Sequence, residues 1–78
     1  MEITVRCSGI LKDLAKFPAY GQKSLKLDGV CSLEEILVKL RIPKEAVMLA
    51  TVNGEIKDLS YLAEEGDQIE FFPPLGGG

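Results

Sequence analysis

Ile3, Val5 and Cys7 alternate with Glu2, Thr4 and Arg6, the two-residue period of a strand with one buried face, and Gly9 breaks the pattern. From Ile10 to Phe17 the spacing lengthens. Ile10, Leu11, Leu14 and Phe17 recur every three to four residues, predicting two helical turns that Pro18 ends. Alternation returns from Lys23 to Asp28, with Leu25 and Leu27 on one face, Lys26 opposite, and Asp28-Gly29 as turn chemistry. Leu33, Ile36, Leu37 and Leu40 then form a single apolar stripe, predicting a helix from Leu33 to about Arg41 that lies across a sheet. Ser32 and Glu35 fit a capping box, in which each side chain binds the other residue's amide, and Pro43 discourages continuation of the helix.

Val47 to Val52 is almost wholly apolar and rich in strand formers. Asn53-Gly54 follows it, the strongest hairpin signal in the chain, and Glu55-Ile56-Lys57 is the short return strand. Asp58 to Glu65 has no clean period, and Leu59 and Leu62 are expected to drop into the core from a tight turn or short helix. Gly66-Asp67 turns the chain into a last strand, Gln68 to Phe72, which sets Ile69 and Phe71 on one face and Glu70 and Phe72 on the other. Strand, short helix, strand, capped helix, strand, hairpin strand and final strand compose an α+β roll, one helical layer over one sheet.

Composition narrows what such a roll can do. Seventy-eight residues, 46% of them apolar and 27% charged, make one globular domain. A chain of this size buries only about 60 to 65% of its unfolded surface, which leaves little room for an enclosed active site, so binding belongs on faces and edges. Nine basic and twelve acidic residues give a net charge of −3, and the basic ones are scattered along the chain, which argues against nucleic acid as a direct partner. The amino terminus has no basic region followed by a continuous apolar run; no membrane association is expected, and the protein is read as cytoplasmic. Cys7 and Cys31 are too far apart for a C-x-x-C pair and the chain has no histidine, so no metal site is expected and two buried thiols are favoured over a disulfide. No nucleophile with an evident base and no phosphate-binding glycine loop is present. Glu64, Glu65, Asp67 and Glu70 concentrate negative charge near the last strand, where a solvated face is the ordinary explanation and steering of a basic partner the functional one.

The unusual chemistry is at the end, Phe71-Phe72-Pro73-Pro74-Leu75-Gly76-Gly77-Gly78. A strand runs into two prolines, which lack backbone donors and favour extended geometry, and three glycines follow. A glycine run at a terminus is ordinarily a frayed end. Phe-Pro-Pro immediately upstream points instead to a presented tail, with residues 1–75 as the folded domain and residues 76–78 as a flexible extension. Six residues from Pro73 to Gly78 extend at most about 20 to 22 Å, enough to reach a site inside a partner.

The order of elements, Val52-Asn53-Gly54-Glu55, Gly66-Asp67 before the last strand, and Phe71-Phe72-Pro73-Pro74 ahead of terminal glycines together resemble the MoaD/ThiS family of ubiquitin-like sulfur carriers, over the whole chain. The resemblance implies a β-grasp fold, a mixed sheet of about five strands with one main helix across one face. It also implies a carrier rather than an enzyme, with no cofactor bound. A ubiquitin-activating-type enzyme would use ATP to adenylate Gly78, and a sulfur donor protein would convert it to a thiocarboxylate. Phe72, Pro73, Pro74, Leu75, Gly76 and Gly77 would engage partners. Phe-Pro-Pro and the helix after the first strand bring the chain nearest to the molybdopterin synthase small subunit, which implies the large subunit of that synthase, or another sulfur acceptor enzyme, as partner. Gly76 departs from the small residue with a Cβ more usual at that place. Sulfur delivery to thiazole or tRNA, conjugation of Gly78 to lysines of other proteins, and a non-covalent module with an inert tail stand as alternatives.

Overall fold

The computed structural model describes residues 1–74. The expected boundary between domain and tail, and the site residues Leu75, Gly76, Gly77 and Gly78, lie outside the described residues. Five strands, β1 (Glu2–Cys7), β2 (Gln22–Lys26), β3 (Leu49–Val52), β4 (Glu55–Lys57) and β5 (Gln68–Phe72), form one sheet in the order β2-β1-β5-β3-β4. β1 and β5 are parallel, and every other pairing is antiparallel. Helix α1 (Ile10–Leu14) lies between β1 and β2, and helix α2 (Leu33–Leu40) makes the crossover that a parallel pair requires.

The alternation of β1 settles which face is buried: Ile3, Val5 and Cys7 are inside with Ala50, Val52, Ile69 and Phe71 of the other strands. Against them α2 sets Leu33, Ile36, Leu37 and Leu40, all buried, so its stripe meets the sheet as the spacing predicts. The α2 start is the expected capping box, with the Glu35 amide donating to Ser32 Oγ at 3.1 Å and the Ser32 amide to Glu35 Oε1 at 2.8 Å. It ends at Arg41, whose φ of 60° reverses the chain ahead of Pro43. At the hairpin tip Asn53 and Gly54 take φ of 52° and 88°, the paired left-handed conformation that matches strand twist.

Four expectations need correction. The first helix stops at Leu14 instead of reaching Phe17, because Lys16 takes a φ of 56° and the Phe17 amide reaches back to the Lys12 carbonyl. Leu11 and Phe17 are buried, while Ile10 and Leu14 face outward. β3 begins at Leu49 rather than Val47, since Lys44–Ala46 form a 3-10 turn and the Val47 amide is still bonded back to the Lys44 carbonyl at 3.1 Å. Between β4 and β5 it is Ala63 that enters the core, with Leu59 and Tyr61 packed at its margin; Leu62, opposite Ser32 in an isolated bridge, is exposed. Asp67 is buried and fully hydrogen-bonded, so it contributes nothing to an acidic surface.

Candidate functional site

β5 carries the chain from the middle of the sheet to its end. Ile69 pairs with Val5 and Val52, and Phe71 with Cys7 and Ala50, so both inward side chains are enclosed by neighbours on each side. Phe72 points the other way, half-buried and opposite Leu49. The ladder runs one step further, the Met48 amide donating to the Phe72 carbonyl at 2.7 Å. Pro73 then offers no donor, and strand pairing stops there.

Around this exit the outer face of the sheet is apolar. Met48, Leu49, Thr51, Ile56, Phe72 and Pro73 line a shallow recess of about 600 Å³. Ile56 is 72% exposed and Met48 63%, unusually open for large apolar side chains that line one recess. On the other side, Pro73 lies over the turn between β1 and α1. A Cβ on Gly9 would come within 3.5 Å of Pro73 Cγ, and the Gly9 φ of 58° with ψ of −138° is itself glycine geometry. Phe72 and Pro73 are thus brought together with the recess, Pro74 follows exposed, and Leu75 to Gly78 continue beyond the described residues.

The start of β5 is fixed by a group that spacing alone did not single out. Asp67 Oδ1 accepts from Asn53 Nδ2 at 3.0 Å, and Oδ2 accepts from the Tyr61 hydroxyl at 2.9 Å and the Glu64 amide at 2.8 Å. Asn53 Oδ1 in turn accepts the Gln68 amide at 2.9 Å. Burial works to raise the Asp67 pKa, but these bonds and the Lys57 charge outweigh it and hold the carboxyl below its ordinary value. Reciprocally, Asp67 as acceptor raises the Tyr61 pKa. Gly-Asp before a strand signals a turn; no sequence signal says that its carboxylate meets an asparagine fourteen residues earlier.

Neither cysteine is placed for chemistry. Cys7 and Cys31 are both free and buried. Burial, reinforced by Glu70, pushes the Cys7 thiol up to about 11, and burial and Glu35 raise that of Cys31. Among the described residues no cluster of metal-ligating side chains converges, and no helix is long and apolar enough to cross a membrane.

The same architecture is found in known proteins. SAMP1 from Haloferax volcanii superposes with a TM-score of 0.71 at 17% identity, over 100% of this chain and 100% of that one. A putative molybdopterin converting factor, subunit 1, from Pyrococcus furiosus gives 0.73 at 17% identity, over 96% and 99%. The complex of subunits 1 and 2 of the molybdopterin-converting factor from Helicobacter pylori gives 0.64 at 25% identity, over 100% of both chains. These likenesses establish the ubiquitin-like β-grasp fold. No curated protein gives a significant match. A family model described as the ThiS family matches residues 8–78, nearly the whole chain, and this protein therefore belongs to the ThiS family.

Proposed function

We propose that this protein is a sulfur carrier whose reactive group is the Gly78 carboxylate. The observation that carries the reading is the path of β5: the strand is anchored in the core by Phe71 and delivers Phe72 and Pro73 to the apolar recess, with Pro74 exposed after them and Leu75 and three glycines still to come in the sequence. A carboxylate is a poor electrophile, so the carrier is first a substrate. A ubiquitin-activating-type enzyme lets the carboxylate oxygen attack the α-phosphorus of ATP with release of pyrophosphate. The outer sulfur of a donor-protein persulfide then attacks the carbonyl as AMP leaves, and a thiol reductant cleaves the S–S bond of the resulting acyl disulfide, returning the donor thiol and leaving a thiocarboxylate. Glycines at positions 76–78 present that carbonyl without a Cβ on either face. The domain supplies no catalytic group and binds no cofactor.

Ordering a glycine tail costs roughly 1 to 2 kcal/mol per residue, which docking must offset. We assign that docking to Phe72, Pro73, Pro74 and Leu75 with the recess, and passage through a narrow channel to Gly76 and Gly77. As acceptor we favour the large subunit of molybdopterin synthase. Support comes from the 25% identical Helicobacter pylori protein, whose structure is a complex of the two molybdopterin-converting subunits. Intact-mass analysis of the protein purified with its activating enzyme, ATP and a sulfur donor tests the reading. Replacement of one oxygen by sulfur at the C-terminus is expected; an unchanged mass, or unchanged activity in cells after deletion of Gly77 and Gly78, would overturn it. Isopeptide-linked Gly78 on other proteins would point to a modifier instead.

A further inference from the structure

The sheet has two edges, and they differ. β4 is three residues long, and its Glu55 and Lys57 side chains pair at 3.5 Å. β2 is five residues long with Lys23 and Lys26 exposed. Its ladder to β1 fixes which main-chain groups are free. The Cys7 amide donates to the Gly21 carbonyl at 2.9 Å and the Leu27 amide to the Met1 carbonyl at 2.7 Å, and antiparallel bonded pairs recur at every second residue. The Gly21 carbonyl and the main-chain groups of Lys23, Leu25 and Leu27 therefore turn toward β1, the Gly21 amide donating instead to the Pro18 carbonyl at 2.8 Å. Gln22, Ser24 and Lys26 turn theirs outward.

Charge gathers at the same end. Residues 1–27, which form β1, α1 and β2, hold five of the nine basic groups and two of the twelve acidic ones; residues 28–78 hold four and ten. Arg6 is in register with Gln22, and Lys12 Nζ donates to the Ala19 carbonyl at 3.3 Å, just ahead of β2. Glu2 and Glu70 are register neighbours of Lys26 and Arg6, but among the described residues none of Arg6, Lys12, Lys23 and Lys26 closes a salt bridge. Lysines on an edge strand also discourage self-pairing, which accounts for Lys23 and Lys26 and makes a second copy of this chain a poor occupant. It does not account for Lys12 and Arg6 at the same end, where Leu25, on the face it shares with Lys23, is left half-buried at the margin of the core.

We propose that β2 accepts an extended acidic segment of a partner protein as a sixth strand. Main-chain bonds to Gln22, Ser24 and Lys26 supply the pairing, and side chains supply the selection. Lys23 and Leu25 share one face and Lys26 lies on the other, so the segment carries an acid opposite Lys23 and an apolar residue opposite Leu25 on one of its faces, and a second acid opposite Lys26 on the other. In antiparallel pairing this reads acid, apolar, any residue, acid. The surface does not depend on the chemistry of Gly78.

The test uses the full-length ¹⁵N-labelled protein and a blocked octapeptide with the core Glu-Val-Thr-Asp. Saturating peptide is expected to slow hydrogen exchange at the Gln22, Ser24 and Lys26 amides while leaving Lys23 and Leu25, already bonded to β1, unchanged. Lys23→Glu with Lys26→Glu should weaken binding at least tenfold, and Ser24→Pro, which removes one outward donor, should abolish it while the Val5 and Leu25 amides stay protected. Absence of protection at those three amides, equal binding of a peptide with lysines in place of both acids, or shifts confined to Met48 and Phe72 would each overturn the proposal. The peptide control is made on the unaltered protein, so the test survives a variant that fails to fold.

Discussion

Replacing Asp67 tests how the start of β5 is held. The residue is 5% exposed, and its carboxylate accepts three hydrogen bonds, from Asn53, Tyr61 and Glu64. A bond to a charged acceptor contributes about 1.5 to 3 kcal/mol net, so simple addition would give about 4.5 to 9 kcal/mol. Bonds in one network do not add, and water can reach Asn53 and Tyr61, which are not themselves buried. We therefore expect Asp67→Ala to cost about 2 to 4 kcal/mol, a large share of the roughly 5 to 15 kcal/mol available to a domain. Asp67→Asn is the sharper probe. Its amide oxygen can serve Tyr61 and Glu64, but its NH2 then faces the Asn53 NH2, and turning Asn53 around would take its oxygen away from the Gln68 amide. A cost of about 1 to 3 kcal/mol follows. Because the folded pKa lies below the ordinary 3.8, the carboxylate's stabilisation is complete above that value and is lost as pH falls through the folded pKa. Urea unfolding at neutral pH and at several points below pH 4 should show the wild-type advantage over Asp67→Asn shrinking with acid. A deficit of Asp67→Ala smaller than about 0.5 kcal/mol, or a wild-type advantage over Asp67→Asn that is constant with pH, would refute the reasoning.

Other changes separate cap, thiol and recess. Ser32→Ala should lower stability by about 1 kcal/mol in chemical denaturation, and, because Ser32's bonds are what hold the Glu35 carboxyl below its ordinary value, NMR titration should find the Glu35 pKa higher in the variant. With its pKa near 11, Cys7 is thiolate in only about one molecule in a thousand at pH 8, so an aromatic disulfide reagent should label it slowly in the native protein and promptly once urea unfolds it. Ile56→Asp, at a side chain 72% exposed, should leave unfolding within about 0.5 kcal/mol of wild type yet weaken binding to the activating enzyme at least tenfold, as measured by calorimetry.

Elements whose cause is local could be read from the chain. The α2 stripe, the Ser32 and Glu35 box, the Asn53-Gly54 turn and the alternation of β1 and β5 each depend on residues within a few positions of one another. What escaped depends on distant partners or on backbone choices that many sequences permit. The Lys16 conformation truncates α1, yet lysine carries no signal for a positive φ. Ala63 takes the core place expected of Leu62 because the segment is positioned by pairing with Ser32 and by the Ala63 amide bond to the Cys31 carbonyl, thirty-two residues away. Seven lysines that looked scattered along the chain are partly collected, since the sheet order brings residues 1–27 to one end. Phe72 was legible as an outward residue, but the recess it lines needed Met48, Leu49 and Ile56 from two other segments.

The Asp67 network and the exit of the chain are two ends of one five-residue strand. Side chains alternate along it, so a one-residue slip would carry Phe72 into the core, turn Phe71 toward the recess and draw Pro73 into the ladder, where it has no donor to give. Two features oppose the slip. At one end Asn53 binds both Asp67 and the Gln68 amide, and at the other the Met48 to Phe72 bond closes the ladder just before Pro73. The carboxylate that stabilises the fold therefore also fixes the register in which residues 73 and 74 leave it. Loss of Asp67 should cost more than stability: in a variant still folded, the Met48 amide is expected to lose exchange protection although it sits at the far end of β5. Undiminished protection at Met48 would mean that Pro73 alone sets the register and that Asp67 acts only on stability.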